Sequence, residues 1–365
     1  MKKARQKLGI RGFSIFLALM LVMTSVMSGC AFVDDYFIDD GQTNQTDGKN
    51  DGVGDGANKD ENVDKGDSAN KDESGDNSGN EGEGENEDNG ENDKDPAYVR
   101  CDKFGNENAA GEYILFGEYP QTVKADDVTI TDTTDSRGYY LGSDGYYYAK
   151  LKATPCTSYY TFSTGEKIDG GSVYYFKVEP IRWRILSEEN GEAFLLCDSI
   201  IANQRFAENS NNYAESEIRT WLNSTFYDTA FSELAKSLIL ITVVDNSAES
   251  ANPHDDSKYW NNGVNKYACE NTSDKVFLLS EEEVTNSSYG FEMYTSDKAR
   301  VMITSDYSRA TGAQMNDNGI GWWWLRSPSY EGSQIARGNI GDGQVQRISV
   351  YTPREGVVPA LIIKL

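Results

Sequence analysis

Tyr174-Tyr175-Phe176-Lys177-Val178 and Ile181-Arg182-Trp183-Arg184-Ile185-Leu186, followed by Ala193-Phe194-Leu195-Leu196-Cys197-Asp198-Ser199, are short apolar and aromatic runs bounded by Gly, Asp and Asn. Branched and aromatic side chains suit a pleated, half-buried surface, so these runs predict strands. Towards the amino terminus the same signal recurs at Tyr113 to Phe116. It recurs again at Tyr139 to Leu141, which faces Tyr146 to Ala149 across Gly142-Ser143-Asp144-Gly145. Towards the carboxy terminus the period changes. Ser216 is placed to cap a helix over Glu217 to Leu222, Ser232 one over Glu233 to Leu238, and Ser280 with Glu283 forms a capping box for a helix towards Asn286. Strands then return: Trp322 to Arg326, a hairpin of Ile335 to Asn339 and Gln344 to Val350 turned by Gly341-Asp342-Gly343, and a last strand, Val357 to Leu365. Strands, then helices, then strands predict an α+β fold, mainly antiparallel sheet with a few short helices.

The first 97 residues have a different composition. Lys2, Lys3, Arg5, Lys7 and Arg11 precede an apolar run from Phe13 to Met27, and Ser28 and Gly29 close it before Cys30. A basic start followed by about 15 apolar residues is a secretory signal, shorter than the roughly 20 a spanning helix needs. Val26-Met27-Ser28-Gly29-Cys30 resembles the lipobox of bacterial lipoproteins. The resemblance implies cleavage before Cys30 and a diacylglyceryl group on its thiol, making residues 1–29 a signal peptide and the membrane a partner through that lipid.

Residues 31–97 hold 22 acidic side chains against five lysines, and almost no apolar residue follows Ile38. Such a segment cannot bury enough apolar surface to offset the entropy of ordering, so residues 30–97 are expected to form a lipid-anchored, disordered acidic linker, extended by self-repulsion. Residues 98–365 hold nearly all the aromatics and read as one domain. Their 37 acidic and 24 basic side chains argue against nucleic acid as a partner.

Chemistry-bearing motifs are sparse. Beyond Cys30 there are Cys101, Cys156, Cys197 and Cys269, an even count that permits disulfides outside the cytoplasm in three connectivities, although Cys197 lies in a run expected to be buried. There is no Cys-x-x-Cys pair and one histidine, His254, in a stretch that reads as a solvated loop. No catalytic set, metal site or cofactor site is therefore assigned.

Several ordered pieces carry a resemblance. Phe116-Gly117-Glu118-Tyr119-Pro120-Gln121, Pro180-Ile181-Arg182-Trp183-Arg184-Ile185-Leu186-Ser187 and Ser216-Glu217-Ile218-Arg219-Thr220-Trp221-Leu222-Asn223 come first. Asp274-Lys275-Val276-Phe277-Leu278-Leu279-Ser280, Trp323-Trp324-Leu325-Arg326-Ser327-Pro328 and Gly356-Val357-Val358-Pro359-Ala360-Leu361 follow. In this order they resemble the family known as domain of unknown function 6273, found in exported proteins of Gram-positive gut bacteria. That family carries an arginine where this chain has Val358, and it implies no activity. The terminal layout is also similar to the C-type-lectin-like fold shared with formylglycine-generating enzymes, an analogy of fold alone.

An anchor, a spacer, abundant Tyr and Trp and no catalytic set lead to the expectation of a cell-surface lipoprotein displaying an extracytoplasmic ligand-binding domain for a glycan, cell-wall or peptide ligand. The alternatives are an envelope structural or assembly protein and, behind it, a hydrolase. Strand alternation sets Trp322, Trp324 and Arg326 on one face and Trp323 and Leu325 on the other. With Leu325 inward, Trp324 and Arg326 are expected to meet ligand, joined by Arg337, Asn339 and Asp342 of the adjoining hairpin.

Overall fold

The computed structural model describes residues 97–251, 265–293 and 296–365. Cys30, the expected signal segment, nearly all of the expected acidic linker and His254 lie outside the described residues. The described residues belong to one compact unit. Its strands begin with β1 (Tyr98–Cys101), β2 (Tyr113–Val123), β3 (Ile130–Thr134), β4 (Tyr140–Gly142), β5 (Tyr147–Lys152), β6 (Val173–Glu189) and β7 (Glu192–Cys197). They continue through β8 (Ala202–Asn203), β9 (Thr242–Val244), β10 (Thr272–Asp274), β11 (Met302–Ile303) and β12 (Ile320–Gly321). The series closes with β13 (Trp323–Pro328), β14 (Ile335–Asn339), β15 (Val345–Ser349), β16 (Gly356–Val357) and β17 (Ala360–Lys364). The fold is α+β, built mainly of antiparallel sheet with short helices.

The larger sheet runs β1-β2-β6-β5-β4-β3, with β7 pairing both β6 and β17. Its spine is β6, which continues through Pro180 where the sequence suggests two strands. Pro180 has no N–H to give the ladder, and it sits in an irregular stretch opposite Glu118. There the Gln121 amide donates to the carbonyls of Glu179 and Pro180 and keeps the strands joined. Gly117 adopts φ +67°, and a Cβ there would lie 2.6 Å from the Phe231 ring, so the bulge needs glycine. Asn190 and Gly191, both at positive φ, turn β6 into β7, as a two-residue hairpin requires.

The second sheet runs β15-β14-β13-β16-β8, with β13 and β16 parallel. The last expected strand is broken: β16 belongs to the second sheet and β17 to the first. Pro359 between them cannot donate to either ladder, and its carbonyl instead accepts from Cys197 N–H at 2.9 Å.

The helices are short but capped as the sequence predicts. Ser216 accepts from Arg219 N–H at the start of α1 (Glu217–Trp221), which passes through a π-turn, Leu222–Phe226, into α2 (Tyr227–Ala230). The wide turn lets the Asn223 amide donate to the Arg219 and Val276 carbonyls while its oxygen accepts from Lys275 and Val276 N–H. Ser232 caps α3 (Glu233–Leu238). The Ser280–Glu283 capping box forms in both directions, at 2.7 and 3.2 Å, but the helix it opens is a single 3-10 turn, Glu283–Thr285.

One core joins the sheets, from Ile114, Phe116 and Trp183 through Leu195 and Leu222 to Trp323, Leu325 and Leu361. A smaller cluster around Phe162 and Phe176 lies by the outer half of β6 and includes Ala310 of α4 (Asp306–Thr311). Among the described residues no helix is long and apolar enough to cross a membrane.

Candidate functional site

The face expected to meet ligand is interior. Trp324 is 0 % exposed, its indole N–H donates to the Gln204 carbonyl at 2.9 Å, and Phe206 meets it edge-on. Trp323 is equally buried and donates to the Arg300 carbonyl. Because β13 lies at the centre of its sheet with both faces covered, strand alternation gives it no outward side.

Arg326 is consumed internally. Its five N–H donors go to the Leu278 carbonyl, twice to the Asp245 carbonyl, and to both oxygens of Glu283. Arg337 holds Glu281 bidentately, both bonds at 2.8 Å. Asn339 is fully buried, and neither its amide oxygen nor its nitrogen has a hydrogen-bond partner. Only Asp342 is exposed, and it accepts from Gln344 N–H and the Ser296 hydroxyl. These residues strut the core and the hairpin; they do not line one surface.

A cleft of about 640 Å³ opens elsewhere, between β2 and β6 of the larger sheet, with Asp198 and Ser199 beside them, and the segment 298–306. The cause is local. Ile181 and Trp183 of β6 turn into the core, where the Trp183 indole donates to the Phe116 carbonyl at 2.8 Å, so Arg182 and Arg184 fall on the opposite face. Tyr113 is the cross-strand partner of Arg184 and joins that face. Arg182 bonds Asp198 through Nε and Nη2, at 2.8 and 2.6 Å, and both bonds end on one oxygen, Oδ2. Burial raises the Asp198 carboxyl above the usual carboxylate range, outweighing the pull of Arg182 beside it.

At the far end of the cleft the charges serve the fold. Asp306 accepts from Val123 N–H and from the N–H and hydroxyl of Ser163, and Arg309 donates to the carbonyls of Thr304 and Thr161. Arg182, Arg184 and Lys298 are the residues that the sequence reading overlooked. The alternation Ile181-Arg182-Trp183-Arg184 was the available signal, since two arginines two apart on a strand share a face.

Among the described residues the four cysteines of the domain form no disulfide: Cys101 and Cys197 are buried, Cys156 and Cys269 half-buried. Burial pushes the Cys197 thiol up to about 12 and raises those of Cys101 and Cys269, the opposite of what a nucleophilic thiolate needs. Among the described residues no group of three or more His, Cys, Asp or Glu is placed to hold a metal ion.

Fold and cleft together define an α+β domain with a polar cleft on its larger sheet. Residues 190–365 match the family described as Domain of unknown function (DUF6273). No curated protein and no solved structure matches the chain. The match starts at the β6–β7 turn, yet Ile114, Phe116, Ile181 and Trp183 belong to the same core as Leu195 and Leu361. Strands β1 to β6 are thus physically part of the unit that the matched segment builds.

Proposed function

We propose that this protein is a surface lipoprotein that displays a ligand-binding domain: Cys30 carries the lipid, the acidic segment is the spacer, and the folded unit takes a glycan, cell-wall or peptide ligand outside the cytoplasm. The signal-like amino terminus and the residues around Cys30 support the anchor. The observation that carries the binding reading is the cleft beside Arg182 and Arg184, whose volume of about 640 Å³ lies in the usual range of small-ligand sites. The likeness of the terminal strands to a C-type-lectin-like layout agrees with a binding role and adds nothing on ligand identity.

The test is retention of the full chain, purified in detergent, on arrays of glycans, cell-wall fragments and peptides. Saturable retention of one class is expected. A chain that retains nothing while remaining folded would favour the assembly reading over this one.

A further inference from the structure

We infer that the cleft is an anion receptor, built to take a ligand through a carboxylate or phosphate group with Arg184 as its principal contact and Arg182 and Lys298 beside it. This rests on the binding reading above and names the chemistry of the ligand. The first observation is a guanidinium without enough acceptors. Nη1 of Arg184 donates to the Ala299 carbonyl at 3.3 Å, whereas Nε and Nη2 are shut off from solvent with no hydrogen-bond partner. Leaving a buried donor unmade costs about 1–3 kcal/mol, more for a charged group, a cost that an acceptor supplied by a ligand would offset. The Arg184 guanidinium carbon lies 4.5 Å from the centroid of the Phe291 ring, a cation–π contact that helps to position the side chain at the cleft wall.

The second observation is charge. The chain carries a formal −25, but once Asp306 and Arg309 are set aside as internally bonded, the cleft retains Arg182, Arg184 and Lys298 against Asp198 alone. Lys298 is exposed and makes no ion pair with any described residue. A local positive cleft on an acidic protein attracts anions against the general field, and low-dielectric walls strengthen that attraction. Arg182 spends both of its bonds on one oxygen of Asp198. A carboxylate or phosphate accepts charge-assisted hydrogen bonds from guanidinium and ammonium groups that a neutral sugar hydroxyl matches only weakly.

The test follows the arginine Nε–Hε NMR signals of the full chain during titration with inorganic phosphate, glucuronic acid and glucose. Saturable shifts of the Arg184 signal with phosphate or glucuronic acid, and none with glucose, are expected. The anion that saturates assigns the source, phosphate or carboxylate. Arg184→Met keeps the packing on Phe291 and removes the unmet donors, so affinity should fall about tenfold or more while the thermal midpoint holds or rises. Lys298→Gln, at the exposed rim, repeats the test without touching packed atoms and should weaken binding a few-fold. If neither anion shifts Arg184 saturably, or glucose binds as well as glucuronic acid, the inference is wrong. Retention on the arrays that both variants leave unchanged would also overturn it, while the binding reading survived.

Discussion

Glu283 and Arg326 are locked together by two parallel hydrogen bonds, and the carboxylate oxygen Oε2 that takes one of them also accepts Ser280 N–H at 2.7 Å. One carboxylate thus closes a capping box and neutralises a buried guanidinium. Removing either partner strands the other. Arg326→Ala is expected to cost about 3–5 kcal/mol in urea denaturation, and Arg326→Lys to recover little, because an ammonium cannot span acceptors on Asp245, Leu278 and Glu283 at once. A loss below about 1 kcal/mol would show that the pair is incidental to stability.

Trp324 fills the core between β13 and Phe206, and its truncation should behave as a cavity mutation. For Trp324→Ala we expect a loss of about 3–5 kcal/mol, with a weakened near-ultraviolet circular dichroism signal. If the variant unfolds at the wild-type midpoint, the ring is not packed as the structure has it.

Glu355 is 2 % exposed, its Oε2 has no hydrogen-bond partner, and burial pushes its carboxyl up to about 8. The unfolded chain releases this proton near 4.5, so the folded state binds the proton more tightly between these values. Stability is therefore fully present below about 4.5, declines as pH rises, and is lowest above about 8. Glu355→Gln should match wild type at pH 4 and exceed it at pH 9 by about 1–4 kcal/mol, measured as paired denaturation curves. Identical pH profiles for the two proteins would contradict this account.

Cys30 is the proposed lipid acceptor, so Cys30→Ser should move the protein from the detergent-rich to the aqueous phase on phase separation. Equal partitioning of the two proteins would remove the anchor from the proposal.

Strand positions, helix caps and turns were readable without coordinates because they depend on near neighbours. Ser216, Ser232 and Ser280 cap where their spacing places them. Where the reading failed, a distant partner decided. Tyr174–Val178 and Ile181–Leu186 merge because β2 bends with them around Pro180, and the last strand splits because Pro359 hands it from one sheet to the other.

The sequence by itself determined the acidic composition of the first segment and the α+β order of the rest. Only the tertiary structure decided which side of a strand meets water. Trp324 and Arg326 alternate as a half-exposed strand would, yet neighbouring strands and loops cover β13 on both faces. Arg182 and Arg184 alternate in the same way on β6, and there the covering segment 298–306 leaves a cleft open. Alternation fixes which side chains share a face, whereas exposure depends on what packs against that face from far along the chain.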